Sequence, residues 1–153
     1  MFDFEALPQV VAIVGSREFT RLPWVQAFVE RLKPNTIVVS GGARGVDTTA
    51  EISTLKRKRE KNDICFKPFP VEDFEWELLG KGVGHLRNEL LVRWVKFFNG
   101  TVIIFAVLDS QGKLQGGSKN VKEWCEKLSV DNVVFSITEQ ENERMRVLRG
   151  RTT

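Results

Sequence analysis

Soft metal ligands are scarce in this 153-residue chain, which has two cysteines and a single histidine. Cys65 and Cys125 are far apart and in no CxxC pair, and His85 stands alone. That scarcity excludes a structural zinc centre, which needs four closely spaced thiolates or imidazoles. No metal and no cofactor is expected. Both cysteines sit among apolar neighbours and read as buried thiols. Long apolar runs are missing too: none approaches the roughly 20 residues that span a bilayer, so no membrane partner is expected. The opening Met1-Phe2-Asp3-Phe4-Glu5 lacks the basic and apolar regions of a signal peptide; the expectation is a cytoplasmic protein. No internal repeat or low-complexity linker interrupts the chain, and its length suits one domain with a proper core.

Charge of one sign is also limited. The net charge of +3 is mild, although the cations are clustered at Lys56-Arg57-Lys58-Arg59-Glu60-Lys61 and at Arg144, Arg146, Arg149 and Arg151. Cations suit a helix C-terminus, so the first cluster reads as a solvated helix end. The second reads as part of a frayed tail. Neither suffices to assign nucleic-acid binding, and a single-stranded nucleic acid stays open only as an alternative partner.

What is present is an alternation of strands and helices. Val10-Val11-Ala12-Ile13-Val14 is continuously apolar, as expected of a strand covered on both faces. Further strands are expected at Thr36–Val39, Ile64–Phe69, Thr101–Phe105 and Asn132–Ile137. Pro68 puts the third near a sheet edge, because proline cannot donate to a central ladder. Helices are expected at about 22–32, with Trp24, Ala27, Phe28 and Leu32 on one face, and at 46–59, with Val46, Ala50 and Leu55 inward. Two more are expected at 85–98, with Leu86, Leu90, Leu91, Trp94, Val95 and Phe98 apolar, and at 118–128. Residues 70–84 read as a long loop with at most a helical turn, and such loops are often functional. This order predicts an α/β fold with right-handed parallel crossovers: a Rossmann-like three-layer sandwich with a mainly parallel five-stranded sheet in the order 3-2-1-4-5. Residues 1–137 form the domain and 138–153 a basic C-terminal tail. Broad apolar helix faces are compatible with a homo-oligomer.

The stretch that organises the chain is Val38-Val39-Ser40-Gly41-Gly42-Ala43-Arg44-Gly45-Val46-Asp47. A strand, a glycine turn and a helix start bring backbone N–H groups and a helix's positive end to one point, which suits an anion. Gly41 and Gly42 let backbone and phosphate approach, and Arg44 adds a planar fork of donors. In a doubly wound sheet, ligands bind beyond the strand C-termini where the order reverses. Gly15-Ser16-Arg17, Ser40 to Gly45 and Gly116-Gly117-Ser118 would meet there. The expectation is an anion held by the backbone of Gly41 to Gly45, close to Ser16 and Arg87. Asp47 either binds a ribose hydroxyl or simply stabilises its helix. Arg87, a cation in the first turn of its helix, opposes the helix dipole and so points to a bound anion. Asn88 would order the adjoining loop, and Trp76 would stack on a base.

With Val14-Gly15-Ser16-Arg17 and Ser40-Gly41-Gly42-Ala43-Arg44-Gly45-Val46-Asp47, the chain resembles the SLOG superfamily, which contains the DNA-processing protein A domain and the LOG phosphoribohydrolases. Phe69-Pro70, Trp76, Gly80-Lys81 and Arg87-Asn88 follow in the order seen in its small stand-alone members. The resemblance spans about residues 10–137. Gly84-His85-Leu86-Arg87-Asn88 looks like a degenerate form of one enzymatic motif, and Gln115-Gly116-Gly117-Ser118-Lys119-Asn120-Val121-Lys122-Glu123 like a degenerate form of the other. Arg87 and Glu123 thereby fall on the catalytic arginine and glutamate. Lys119 and Asn120 stand where the enzymes carry glycine and threonine, and Lys119 would supply charge instead. The resemblance implies a nucleotide or nucleotide-derived ligand, bound as by a sensor. The alternatives are an N-glycosidase acting on nucleoside monophosphates and a single-stranded nucleic-acid binder.

Overall fold

Strand β1 (Gln9–Gly15) is the centre of the sheet, and its residues from Val10 to Val14 are buried whichever face they point to. This is the physical reason for its unbroken apolar run. The computed structural model of the chain describes residues 7–80 and 82–152, with side chains described through 148. Beside β1 lie β2 (Thr36–Ser40) and β3 (Ile64–Pro68) on one side, and β4 (Thr101–Val107) and β5 (Asp131–Ile137) on the other. The order is β3-β2-β1-β4-β5 and all four pairings are parallel. Val11 pairs with Val38 and Ile13 with Ile103. The fold is α/β and Rossmann-like, with the strand order expected from the sequence.

Because side chains alternate along a strand, β1 feeds two cores. Val10, Ala12 and Val14 pack with Leu91, Val92 and Val95 of α4 (Gly82–Phe97) and Val121 and Cys125 of α5 (Gly116–Leu128). Val11 and Ile13 pack with Val25 and Val29 of α1 (Leu22–Glu30) and Val46 and Ala50 of α2 (Val46–Lys61). Helices therefore cover both faces. Among the described residues, no helix is long and apolar enough to cross a membrane, and no group of three or more His, Cys, Asp or Glu could hold a metal ion.

The elements differ from expectation where periodicity is weak. Residues 70–84 are not a loop: α3 (Asp73–Leu79) forms there, closed by a capping box in which Glu75 Oε1 accepts the Glu72 N–H at 3.0 Å. None of its residues is buried, so it leaves no apolar stripe in the sequence. The expected tail is α6 (Glu139–Thr152). Thr138 Oγ1 caps it by accepting the Glu141 N–H at 3.1 Å, and Glu139 and Glu141 suit its first turn. Helix faces are rotated relative to the reading of the sequence as well. Val25 and Val29 point inward from α1 while Trp24 is exposed; on α2, Leu55 is exposed and Thr54 and Arg57 are buried. Leu86, Leu90 and Phe98 are also exposed, and Cys65 is only half-buried. Arg57 shows that its basic cluster is not wholly solvated. Its guanidinium grips Asp63 at 3.0 and 2.9 Å and donates to the Val29 carbonyl at 2.8 Å. Lys81 and the side chains of Arg149 and Arg151 lie outside the described residues.

Candidate functional site

Beyond the C-terminal edge of β1 and β4 lies a crevice of about 850 Å³. Its floor starts where β1 ends. Gly15 is packed so tightly there that a Cβ would come within 2.3 Å of the Phe105 carbonyl oxygen and 2.6 Å of Val46. Ser16 follows; its Oγ accepts the Val107 N–H at 3.1 Å and lies 3.2 Å from Ser118 Oγ. That pair joins the end of β1 to the start of α5. The first turn of any helix has N–H groups without intrahelical acceptors, and Gln115 supplies no side-chain cap to α5. Gly116, Gly117 and Ser118 all line the crevice.

A second wall comes from α4. Gly84, His85, Arg87 and Asn88 line it, and Trp76 of α3 stands nearby, also lining the crevice. Asn88 is buried and does more than order a loop: its Oδ1 accepts from Arg87 Nε at 2.9 Å and its Nδ2 donates to Asn120 Oδ1 at 3.0 Å. Arg87 is thereby tied to α5. Burial holds its guanidinium below the usual arginine range, the charge of Asp47 opposes that shift, and Arg17 adds to it.

The third wall is α6, which sequence reasoning missed. Glu139, Gln140, Asn142, Glu143 and Arg146 face the crevice, with Glu18 from the loop after β1. Asn142 docks the helix: its Oδ1 accepts from the Thr20 N–H at 2.9 Å and Thr20 Oγ1 at 2.8 Å, and its Nδ2 donates to the Glu18 carbonyl at 2.7 Å. Arg146 pairs with Glu18 at 2.8 Å and Glu143 at 3.6 Å. The signal that could have revealed this wall is Thr138-Glu139-Gln140-Glu141, a capping-box pattern.

The glycine turn is placed differently. Of Ser40, Gly41, Gly42, Ala43, Arg44, Gly45 and Asp47, only Ala43 lines the crevice. Ser40 is buried with its hydroxyl donating to the Ile13 carbonyl at 2.7 Å. Gly45 precedes α2 at φ 81°, and Arg44 is exposed. Asp47 is buried and turns back into its own loop, where its Oδ2 accepts the Gly41 N–H at 3.1 Å and the Ala43 N–H at 3.3 Å. Neither N–H is thus open to an outside anion. The carboxyl's other oxygen is buried without a hydrogen-bond partner among the described residues. Burial pushes Asp47 up to about 6, against the opposing pull of Arg87 and of the Ala43, Gly41 and Gly15 N–H groups. Arg87 does share the edge with Gly41, as expected, since its Nη1 donates to the Gly41 carbonyl. Glu123, by contrast, lies on the exposed face of α5, 4.0 Å from Lys119 and outside the crevice lining.

Comparison with known proteins bears on this architecture. Residues 3–66 match the family model of DNA recombination-mediator protein A, a span that takes in both the Val14–Arg17 and Ser40–Asp47 motifs. No curated protein matches the chain. Among solved structures, it is similar to the C-terminal domain of a hydrogenase from Pyrococcus furiosus, with a TM-score of 0.43 and 16% identity over 84% of this chain and 92% of that one.

Proposed function

From the premise that this chain belongs to the SLOG superfamily, which the match over residues 3–66 supports, we propose that it binds a nucleotide or nucleotide-derived ligand in the crevice, as a sensor does. One observation carries this reading: Ser16, Arg87 and the first turn of α5 converge on a single cavity of about 850 Å³, within the size range of small-molecule sites. The ligand's phosphate sits at the α5 N-terminus, with the Ser16 and Ser118 hydroxyls and Arg87 as donors. Its base lies toward Trp76. The same reading places the protein in the cytoplasm, where nucleotides are abundant.

Charge favours a small ligand over a strand of nucleic acid. Arg17, Arg87 and Arg146 line the crevice, but so do Glu18, Glu139 and Glu143. A nucleic-acid groove is instead positively charged along its length. The N-glycosidase alternative needs a carboxylate at the sugar; Glu123, the residue the resemblance offers, faces solvent beside Lys119, and Glu18 and Glu143 of the crevice are paired with Arg146. Binding without cleavage is the function we assign.

Calorimetric titration with the nucleoside monophosphates and cyclic nucleotides tests it. At least one binds the wild type, Arg87→Ala loses about tenfold or more in affinity, as removal of a charge-assisted hydrogen bond does, and Glu123→Ala leaves affinity unchanged. No binding heat with any of them overturns the reading.

A further inference from the structure

The turn that most resembles a phosphate cradle already holds charges of its own. Asp47, on the first turn of α2, presents one carboxylate oxygen to the Gly41 and Ala43 N–H groups. From the other side, the Arg87 guanidinium donates to the Gly41 carbonyl. Gly41 is therefore a backbone bridge, its donor on the carboxylate and its acceptor on the guanidinium. We propose that Gly41 and Asp47 are positioning residues for Arg87, the Ser40–Asp47 turn being a cradle for an arginine of this chain rather than for a ligand's phosphate.

Space supports the same assignment. A Cβ at Gly41 would lie 2.1 Å from Arg87 Nη1, 2.6 Å from Arg87 Cζ and 2.9 Å from Asp47 Oδ2. Any side chain at 41 and the seated guanidinium exclude one another, which explains the glycine without reference to a ligand. Electrostatics agrees. A phosphate entering the turn would meet the resident Asp47 carboxylate, a like charge in a buried setting. Arg87 gains from that carboxylate, which offsets part of the cost of holding a cation away from water. With Nη1 on Gly41 and Nε on Asn88, two of the fork's donors are committed. Among the described residues Nη2 has no acceptor, and Arg87 lines the crevice.

What Arg87 is positioned for rests on the nucleotide-binding reading, but the positioning itself is measurable without any ligand. The probe is the exchange rate of the Arg87 Nε–H proton by ¹⁵N NMR, its signal assigned by disappearance in Arg87→Lys. In the wild type this proton is protected relative to that of the exposed Arg44. In Gly41→Ala the methyl displaces the flexible end of Arg87, and exchange speeds up by about tenfold or more, consistent with loss of a charge-assisted hydrogen bond. Asp47→Asn, which keeps the shape and removes the charge, moves it in the same direction. A wild-type Arg87 proton exchanging as fast as that of Arg44 overturns the proposal, as does unchanged exchange in a folded Gly41→Ala or Asp47→Asn protein. AMP titrated into the same samples reads the other question. Absence of wild-type binding counts against AMP as a ligand and leaves the exchange result to decide the positioning.

Discussion

The pH dependence of stability should carry the signature of Asp47. Its carboxyl titrates at about 6 in the folded protein against an ordinary 3.8, with burial as the main cause. A carboxyl raised by folding is bound to its proton more tightly in the folded chain than in the unfolded one. The unfolded chain therefore ionises first as pH rises, and stability falls between about pH 4 and pH 6. A difference of about two pKa units at 1.36 kcal/mol each gives a full loss of about 3 kcal/mol, of which about 2 falls inside that window because the unfolded carboxyl is already partly ionised at pH 4. Asp47→Asn has no proton to lose and should be free of this slope. Urea unfolding of both proteins at pH 4, 5, 6 and 7 supplies the test. The stability of the wild type minus that of the variant should decline by about 2 kcal/mol from pH 4 to 7 and level off above that. Taking the difference removes the contribution of Asp63, whose carboxyl Arg57 holds below the usual range and whose stabilisation is lost only in more acid solution. A difference that stays flat, or grows with pH, refutes the reasoning.

Two further outcomes test how the walls of the site are held. Arg57→Ala leaves Asp63 without its bidentate partner and the Val29 carbonyl without its side-chain donor, so urea unfolding should show a loss of about 3 kcal/mol; a loss below about 0.5 kcal/mol would make the pair a surface contact. Asn142→Ala removes the three side-chain bonds by which Asn142 docks α6 on the loop after β1. Amide exchange in α6 should then accelerate while β1 and β4 keep their protection, and unaltered α6 exchange would show that other contacts hold the helix.

The sheet was legible because its causes are written residue by residue. Val10–Val14, Thr101–Phe105 and the β-branched Thr36–Val39 are apolar on both faces because helices cover both faces. Pro68 marks an edge because it cannot donate to a ladder. The handedness of parallel crossovers then leaves few orders to choose from, and the one expected is the one found. Helices lacking a buried stripe escaped notice: α3 buries no residue, and α6 is charged on most of its surface, so neither shows the period of 3.6 that betrays a packed helix.

At the crevice the division follows the range of the forces involved. Local patterning placed Ser16, Gly116–Ser118 and Arg87 at helix and strand ends, and the parallel order of the sheet carries those ends to one edge. Side-chain direction is not local. Glu123 and Glu143 are both helix glutamates, yet Glu143 lines the crevice and Glu123 faces solvent, because packing sets the rotation of each helix about its axis. Asp47 could have reached outward to a sugar or back to its own turn. Its burial beneath Gly41, with Arg87 brought in from a helix 40 positions further along the chain, is a choice made only when α2 and α4 pack on opposite faces of the sheet.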